Sequence, residues 1–329
     1  MPLDPHVRRF LDMMAMGVMA KSETGAGDVA GRRESLRVLA RLAAGALPPV
    51  EASARALPLP AGPCAARLYV PAEAEATGPG LVFFHGGGLV AGDLDTHDGI
   101  CRGLAAAAGC RIVSVAYRLA PEHPFPAGLE DAIAAFAHVA GTAGAFGIDP
   151  ARLAIGGDSA GAGLAARVAQ ELRGTAAAIA AQLLICPVLD LRCATSSHRD
   201  FEEGYFLDGR TVRADMAACG VAGRAEDPRV SPLLEPDLSG LPPAQIHTAE
   251  FDIVRDDGAA YAERLTRAGI PATYACHAGM IHFFYGLGRL VPKSQTILTE
   301  IGSGFGPLLR GASAARPDLG DRPSQRRAS

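Results

Sequence analysis

The chain has 329 residues, 49% of them hydrophobic and 20% charged, with a formal net charge of −4. This make-up predicts a globular protein with one large α/β domain, and the weak negative charge gives no basis for binding nucleic acid or an anionic membrane. No run of about 18 apolar residues predicts a membrane span, Asp4 and Asp12 argue against a secretory leader, and seven scattered cysteines without a C-x-x-C pair predict reduced thiols in a cytoplasm.

In chain order, Val7, Phe10, Leu11, Met14 and Val18 recur at helical spacing and predict an amphipathic helix. Gly25 and Gly27 break the pattern, and a second helix follows over 34–44 with Leu36, Val38, Leu39 and Leu42. Such a methionine-bearing stripe is read first as core packing, with a lid over an acyl chain as the lesser and compatible reading. Pro48-Pro49 closes the segment. Alternation at Ala66, Leu68 and Val70 predicts edge strands between 50 and 71, with a loop over 72–80. Residues 81–84 read as a buried strand ending in His85-Gly86-Gly87-Gly88. Consecutive glycines there expose backbone N–H groups suited to an oxyanion hole, and His85 is expected to brace the loop rather than act as a base.

A helix over 96–108 and a strand over 112–116 come next. The proline-rich stretch 117–127 is a fixed connector that contains His123. A helix over 128–146, a strand over 153–155, a helix over 163–173 and a strand over 179–187 follow. Residues 193–239 are polar and irregular, an insertion expected to shape a pocket. A strand over 244–249, a helix over 257–268, a strand over 272–276 and a final helix complete the domain. The alternation from Leu81 onward predicts a mostly parallel sheet with helices on both faces. Residues 311–329 lack periodicity and read as a disordered tail.

The organising stretch is Gly157-Asp158-Ser159-Ala160-Gly161, which fits G-x-S-x-G between a strand and a helix. A strand turning sharply into a helix leaves no room for a Cβ at the flanking positions. It presents the serine at a helix N-terminus, where free N–H groups favour developing negative charge. A serine nucleophile needs a base, and the base needs a carboxylate. The usual order after the serine is acid, then histidine. Asp252, directly after the strand 244–249, is the favoured acid, with Asp256 in reserve; Asp256 and Asp257 read better as helix caps. Two histidines remain downstream, His277 at a strand end and His282 on a glycine-started loop, and His282 is favoured.

Together these stretches resemble the bacterial hormone-sensitive-lipase-like family of α/β-hydrolase carboxylesterases. The likeness is carried by His85–Gly88 continuing to His97, by 117–127, by Gly157–Gly161, by Ala249-Glu-Phe-Asp252 with Arg255-Asp-Asp-Gly258, and by Gly279-Met-Ile-His282. It implies an eight-stranded, mostly parallel sheet: an N-terminal helical cap at 1–48 and a catalytic domain at 49–310. It also implies a Ser159–Asp252–His282 triad, with Gly87, Gly88 and Ala160 as oxyanion donors and Gly86 in the same motif. Short- to medium-chain acyl esters are the implied substrates, with no cofactor and no metal. Leu89 departs from a common aromatic, Ile253 from a common proline, and Phe283-Phe284 from a common glycine. These leave acyl and alcohol preference open. Amidase, lactonase and acyltransferase chemistry would use the same groups, and a non-catalytic ligand receptor is the competing class. An edge strand would support a homodimer.

Overall fold

The molecule is described here by a computed structural model covering residues 2–17 and 29–311. The expectations for Val18, Gly25, Gly27 and the tail beyond 311 lie outside the described residues.

Short apolar runs build the centre of one eight-stranded sheet. Its strands are β1 (Val50–Leu59), β2 (Gly62–Pro71), β3 (Gly78–Phe84), β4 (Arg111–Val115), β5 (Ile148–Asp158), β6 (Gln182–Ile185), β7 (Ala244–Phe251) and β8 (Ala272–Ile281). Their order in space is β1-β2-β4-β3-β5-β6-β7-β8. The strands from β4 to β8 run parallel, and the β1–β2 hairpin attaches antiparallel to β4. Every residue of β3, β4 and β6 is buried, as continuous apolar runs require when both sheet faces are covered. The hairpin strands instead alternate, which is why Ala66 and Leu68 are buried while Ala65 and Pro63 are exposed.

One face is covered by α4 (Ala127–Gly141), α5 (Ala160–Glu171) and α8 (Arg255–Arg267), which contribute Phe136, Val168 and Leu265 to its core. The other is covered by α3 (Asp98–Ala108) and α9 (Pro292–Gly311), joined by α1 (Pro5–Ala15). Asp4 caps α1 by accepting from His6 N at 2.8 Å, and Val7 and Phe10 are its buried stripe. Helix α2 (Val29–Ala43) buries Leu39 and Ala43. No helix among the described residues is long and apolar enough to cross a membrane.

Several boundaries differ from those the sequence suggests. Strand β3 begins at Gly78, so the preceding loop is shorter; the 128–146 helix ends at Gly141 and resumes as a 3-10 turn over Ala143–Phe146. Strand β5 reaches back to Ile148, and β6 is confined to Gln182–Ile185. Strand β8 continues through Gly279 to Ile281: the glycine, at a φ of +78°, sits in a register shift, after which Ile281 pairs with Phe251. The 193–239 segment is not irregular throughout: it contains α6 (Ser196–Asp200) and α7 (Gly209–Ala218), the latter capped by Asp208, which accepts from Thr211 N at 2.7 Å.

Asp256 and Asp257 are not side-chain caps, since α8 starts after Val254 with no such bond. They anchor the strand β6 to α6 connection instead. Buried Asp257 accepts from Leu189 N and Asp190 N, each at 3.0 Å. Asp256 accepts from Ser196 Oγ at 2.6 Å and Ser197 N at 2.9 Å.

Helices α3 and α9 approach closely because glycines line the contact. A Cβ on Gly302 would lie 2.6 Å from Ala107 Cβ, and one on Gly306 would lie 2.6 Å from Ala108 O. Gly304 faces outward, where a Cβ would meet only the Gln245 side chain at 3.4 Å or beyond. Gly302→Val is expected to destabilise the fold by about 1–3 kcal/mol through overpacking. Gly304→Ala should stabilise it by about 0.5–1 kcal/mol through helix propensity. Urea unfolding of both variants checks the pair, and equal effects would contradict this packing.

Candidate active site

The end of β3 and the turn from β5 into α5 define the site. A Cβ on Gly157 would run into Phe84 O, and one on Gly161 into Phe84 O and His85 O. The two glycines are therefore dictated by the neighbouring strand. Between them Ser159 takes φ +53° and ψ −124°, a conformation rare for a side-chain-bearing residue. Its backbone is fixed on both sides: Ser159 N donates to Ile185 O at 2.8 Å, and its carbonyl accepts from Gly163 N at 3.1 Å.

Asp252 follows β7 and His282 follows β8, so the two parallel strand ends bring them to the same edge as Ser159. His282 Nε2 lies 2.9 Å from Ser159 Oγ, and His282 Nδ1 lies 2.7 Å from Asp252 Oδ2. A carboxylate only accepts, so Nδ1 carries the proton and Nε2 is left to accept from the serine hydroxyl. Asp252 is fully buried, and its other oxygen accepts from Val254 N at 3.1 Å. The Cys186 thiol sits beside this pair, with one ligating atom each of Cys186, Asp252 and His282 within 4.8 Å of one another. Burial, then the Asp252 charge, push that thiol well above its usual range, so it is a neutral neighbour rather than a thiolate.

The alternative residues lie elsewhere. His277 Nε2 pairs with His247 Nδ1 at 3.0 Å and its ring packs on Phe284. Asp256 is occupied by Ser196 and Ser197. His123 is exposed and lines a separate cleft behind the glycine loop.

The glycine loop is held by a buried network. Gly86 N donates to Asp158 Oδ1 at 3.0 Å, so this N–H is committed and Gly86 is not a free oxyanion donor as grouped from the sequence. Asp158 Oδ2 accepts from Tyr285 OH at 2.9 Å and faces His97 Nε2 at 3.3 Å. Burial alone would raise the Asp158 pKa, but His97 and Tyr285 hold its carboxyl below the ordinary value. Asp158 is thus a charged strut between the serine turn and the glycine loop. His85 donates from Nδ1 to Gly86 O at 2.8 Å, stacks on Tyr117 at 4.5 Å between centroids, and is lowered to about 4 by burial and then by His97. It braces the loop as a neutral ring. Tyr117 OH closes the arrangement by donating to His85 O at 2.6 Å.

Gly87 and Gly88 adopt φ of +115° and +68°, and both line the cavity beside Ser159 and Ala160. Ala160 opens α5, where helix geometry leaves the first N–H groups without a partner in the helix. The cavity holds about 890 Å³. Leu36 and Leu39 from α2, Met216 from α7, and Phe206 and Phe283 from flanking loops give it mostly apolar walls. The pocket-shaping part of 193–239 is expected from sequence, but not that it is played by a helix, α7, whose pocket-facing residues are scattered among polar ones. Sequence reasoning missed His97 and Tyr285, whose link to Asp158 spans 61 and 127 residues of chain.

Residues 81–286 match the family model described as the alpha/beta hydrolase fold. The chain is 40% identical over 284 residues to the carboxylic ester hydrolase LipN of Mycobacterium tuberculosis, covering 83% of this chain and 75% of that protein. It is 38% identical over 241 residues to the ethyl acetate hydrolase of Pseudomonas putida, covering 71% and 76%. Among solved structures, the ester-hydrolase EH1AB1 from the metagenome of Lake Arreo superposes with a TM-score of 0.88 at 39% identity, over 93% of this chain and 98% of that one. The sheet order, the strained serine turn and these relatives agree: the chain belongs to the α/β-hydrolase fold family, among its hormone-sensitive-lipase-like carboxylesterases.

Proposed function

We propose that this protein is a carboxylic ester hydrolase that uses Ser159, His282 and Asp252 to cleave short- to medium-chain acyl esters. The observation that carries this reading is the unbroken contact from Ser159 Oγ through His282 to buried Asp252, at 2.9 and 2.7 Å, opening into an apolar cavity. His282 Nε2 takes the hydroxyl proton as Ser159 Oγ attacks the ester carbonyl. Asp252 holds the imidazolium that forms. The N–H groups of Gly87, Gly88 and Ala160 receive the negative charge on the tetrahedral oxygen. Collapse expels the alcohol, which takes the proton from His282, and a water activated by the same ring releases the acid from the acyl-enzyme. Ester and water are the only reactants, so the chemistry calls for no cofactor.

The segment 1–48 with α2 serves as the cap in this reading, and 193–239 supplies the facing wall through α7. The apolar walls contributed by both support an acyl chain as the ligand. We extend the proposal to a cytoplasmic enzyme, supported by seven free cysteines. We also extend it to a homodimer formed along an edge strand of the sheet, where β1 and β8 lie.

Hydrolysis of p-nitrophenyl esters from acetate to palmitate tests the reading. Activity should peak on short to medium chains, and Ser159→Ala should lower kcat by roughly 10⁴–10⁶. Full activity in that variant would contradict the serine mechanism. Asp252→Asn should lower kcat by about 10⁴ because the ring is then held in the wrong tautomer, while His277→Gln should change it by less than about twofold. The reverse ranking would reassign the base and its carboxylate.

A further inference from the structure

Two opposite charges face each other in the cavity next to the glycine loop. Arg32 of α2 and Asp215 of α7 form an ion pair, with side chains only 20% and 13% exposed. Both groups press on Gly88: a Cβ there would run into the Asp215 carboxylate and lie 3.0 Å from Arg32 Nη2. Arg32 Nη2 also reaches Gly87 O at 3.5 Å, the carbonyl that accepts from Val90 N at 3.1 Å and Ala91 N at 2.9 Å. Asp208, the cap of α7, and Cys219, whose Sγ lies 3.6 Å from Gly88 O, also act on Arg32, and Arg210 and Arg229 line the same cavity. Burial pushes the Cys219 thiol up to about 11, so it is uncharged at neutral pH. Burial lowers Arg32 to about 10, which still leaves it a cation there.

Stability alone does not account for this pair. Desolvation offsets much of the attraction between buried charges, and apolar side chains would join α2 to α7 at least as well. Its distinguishing property is its place, against the backbone whose N–H groups are proposed to take the oxyanion. An uncompensated carboxylate there would oppose the charge that develops in the transition state, and an uncompensated cation would favour it.

We propose that Arg32 is a positioning residue for ester hydrolysis: it neutralises Asp215 and holds the Gly87 carbonyl, keeping the Gly87–Gly88 donors receptive to an oxyanion. This rests on the serine-esterase reading above. Removing the two charges one at a time then has opposite effects on the chemical step, whereas a simple latch between α2 and α7 is weakened by either change.

The test is kcat and KM for p-nitrophenyl butyrate with Arg32→Met, Arg32→Lys, Asp215→Asn and the Arg32→Met/Asp215→Asn double variant, each checked by circular dichroism and Tm. Arg32→Met should lower kcat about tenfold with KM within about twofold, because the loss falls on the transition state. Asp215→Asn should raise kcat about two- to threefold, and the double variant should recover most of the loss, the signature of coupled charges. Arg32→Lys keeps the charge and should retain most of the rate. A fall in Asp215→Asn, or a double variant no faster than Arg32→Met, overturns the assignment. If Arg32→Met does not fold, Asp215→Asn and Arg32→Lys still decide it by the same signs. A wild type that hydrolyses no ester removes this role together with the esterase reading. Wild-type hydrolysis that Ser159→Ala abolishes, with both single-charge variants slowed, removes this role alone.

Discussion

The close passage of the β3 end over the serine turn is the constraint on which the rest of the site depends. Phe84 O and His85 O occupy the space where Gly157 and Gly161 would carry a Cβ. With no side chain at either flank, β5 turns into α5 within one residue, and Ser159 is held at a positive φ. The same contact brings the glycine loop, which leaves β3 at His85, directly beside Ser159. One steric fact therefore places Ser159 and the glycine loop together at one end of the cavity. The strain at Ser159 persists because hydrogen bonds from Ser159 N and to its carbonyl fix the backbone on both sides.

Charge in the site falls into three sets. Asp158 lies next to Ser159, fully buried, and joins Gly86 N, Tyr285 and His97 into one rigid support. Asp252 lies under His282, with Val254 N satisfying its second oxygen. Each carboxylate would be costly to bury alone, and each is met by several donors, which is the condition for a buried charge to be tolerated. Arg32 and Asp215 add a third set in the cavity itself, contributed by α2 and α7. The remaining wall is mostly apolar, with Asp158, Asp208, Arg167, Arg210 and Arg229 also lining it.

The fold was largely legible in the sequence because its signals are local. Apolar runs such as Leu81-Val-Phe-Phe84 mark strands buried on both faces, and the glycines around Ser159 mark a turn that only glycine permits. His282 and Asp252 were legible from chain order. What the sequence hid depends on distant partners. Asp257 looks like a helix cap locally, and only the fold shows it receiving Leu189 N and Asp190 N. Gly86 looks equivalent to Gly87 and Gly88 until Asp158 is seen to occupy its N–H. Helix α7 was hidden because its buried residues, Val212 and Met216, are separated by Arg213, Ala214 and Asp215, and a polar stretch obscures so narrow a stripe.

The central claim is that Ser159 is a nucleophile activated by His282. The most direct measurement is covalent trapping with a p-nitrophenyl phosphonate ester, followed by peptide mass spectrometry and the stoichiometry of nitrophenolate release. One equivalent should be released per chain, with the phosphonyl group on Ser159 and loss of labelling in His282→Ala. Labelling on another residue, or sustained ester hydrolysis by a fully phosphonylated Ser159, would contradict it.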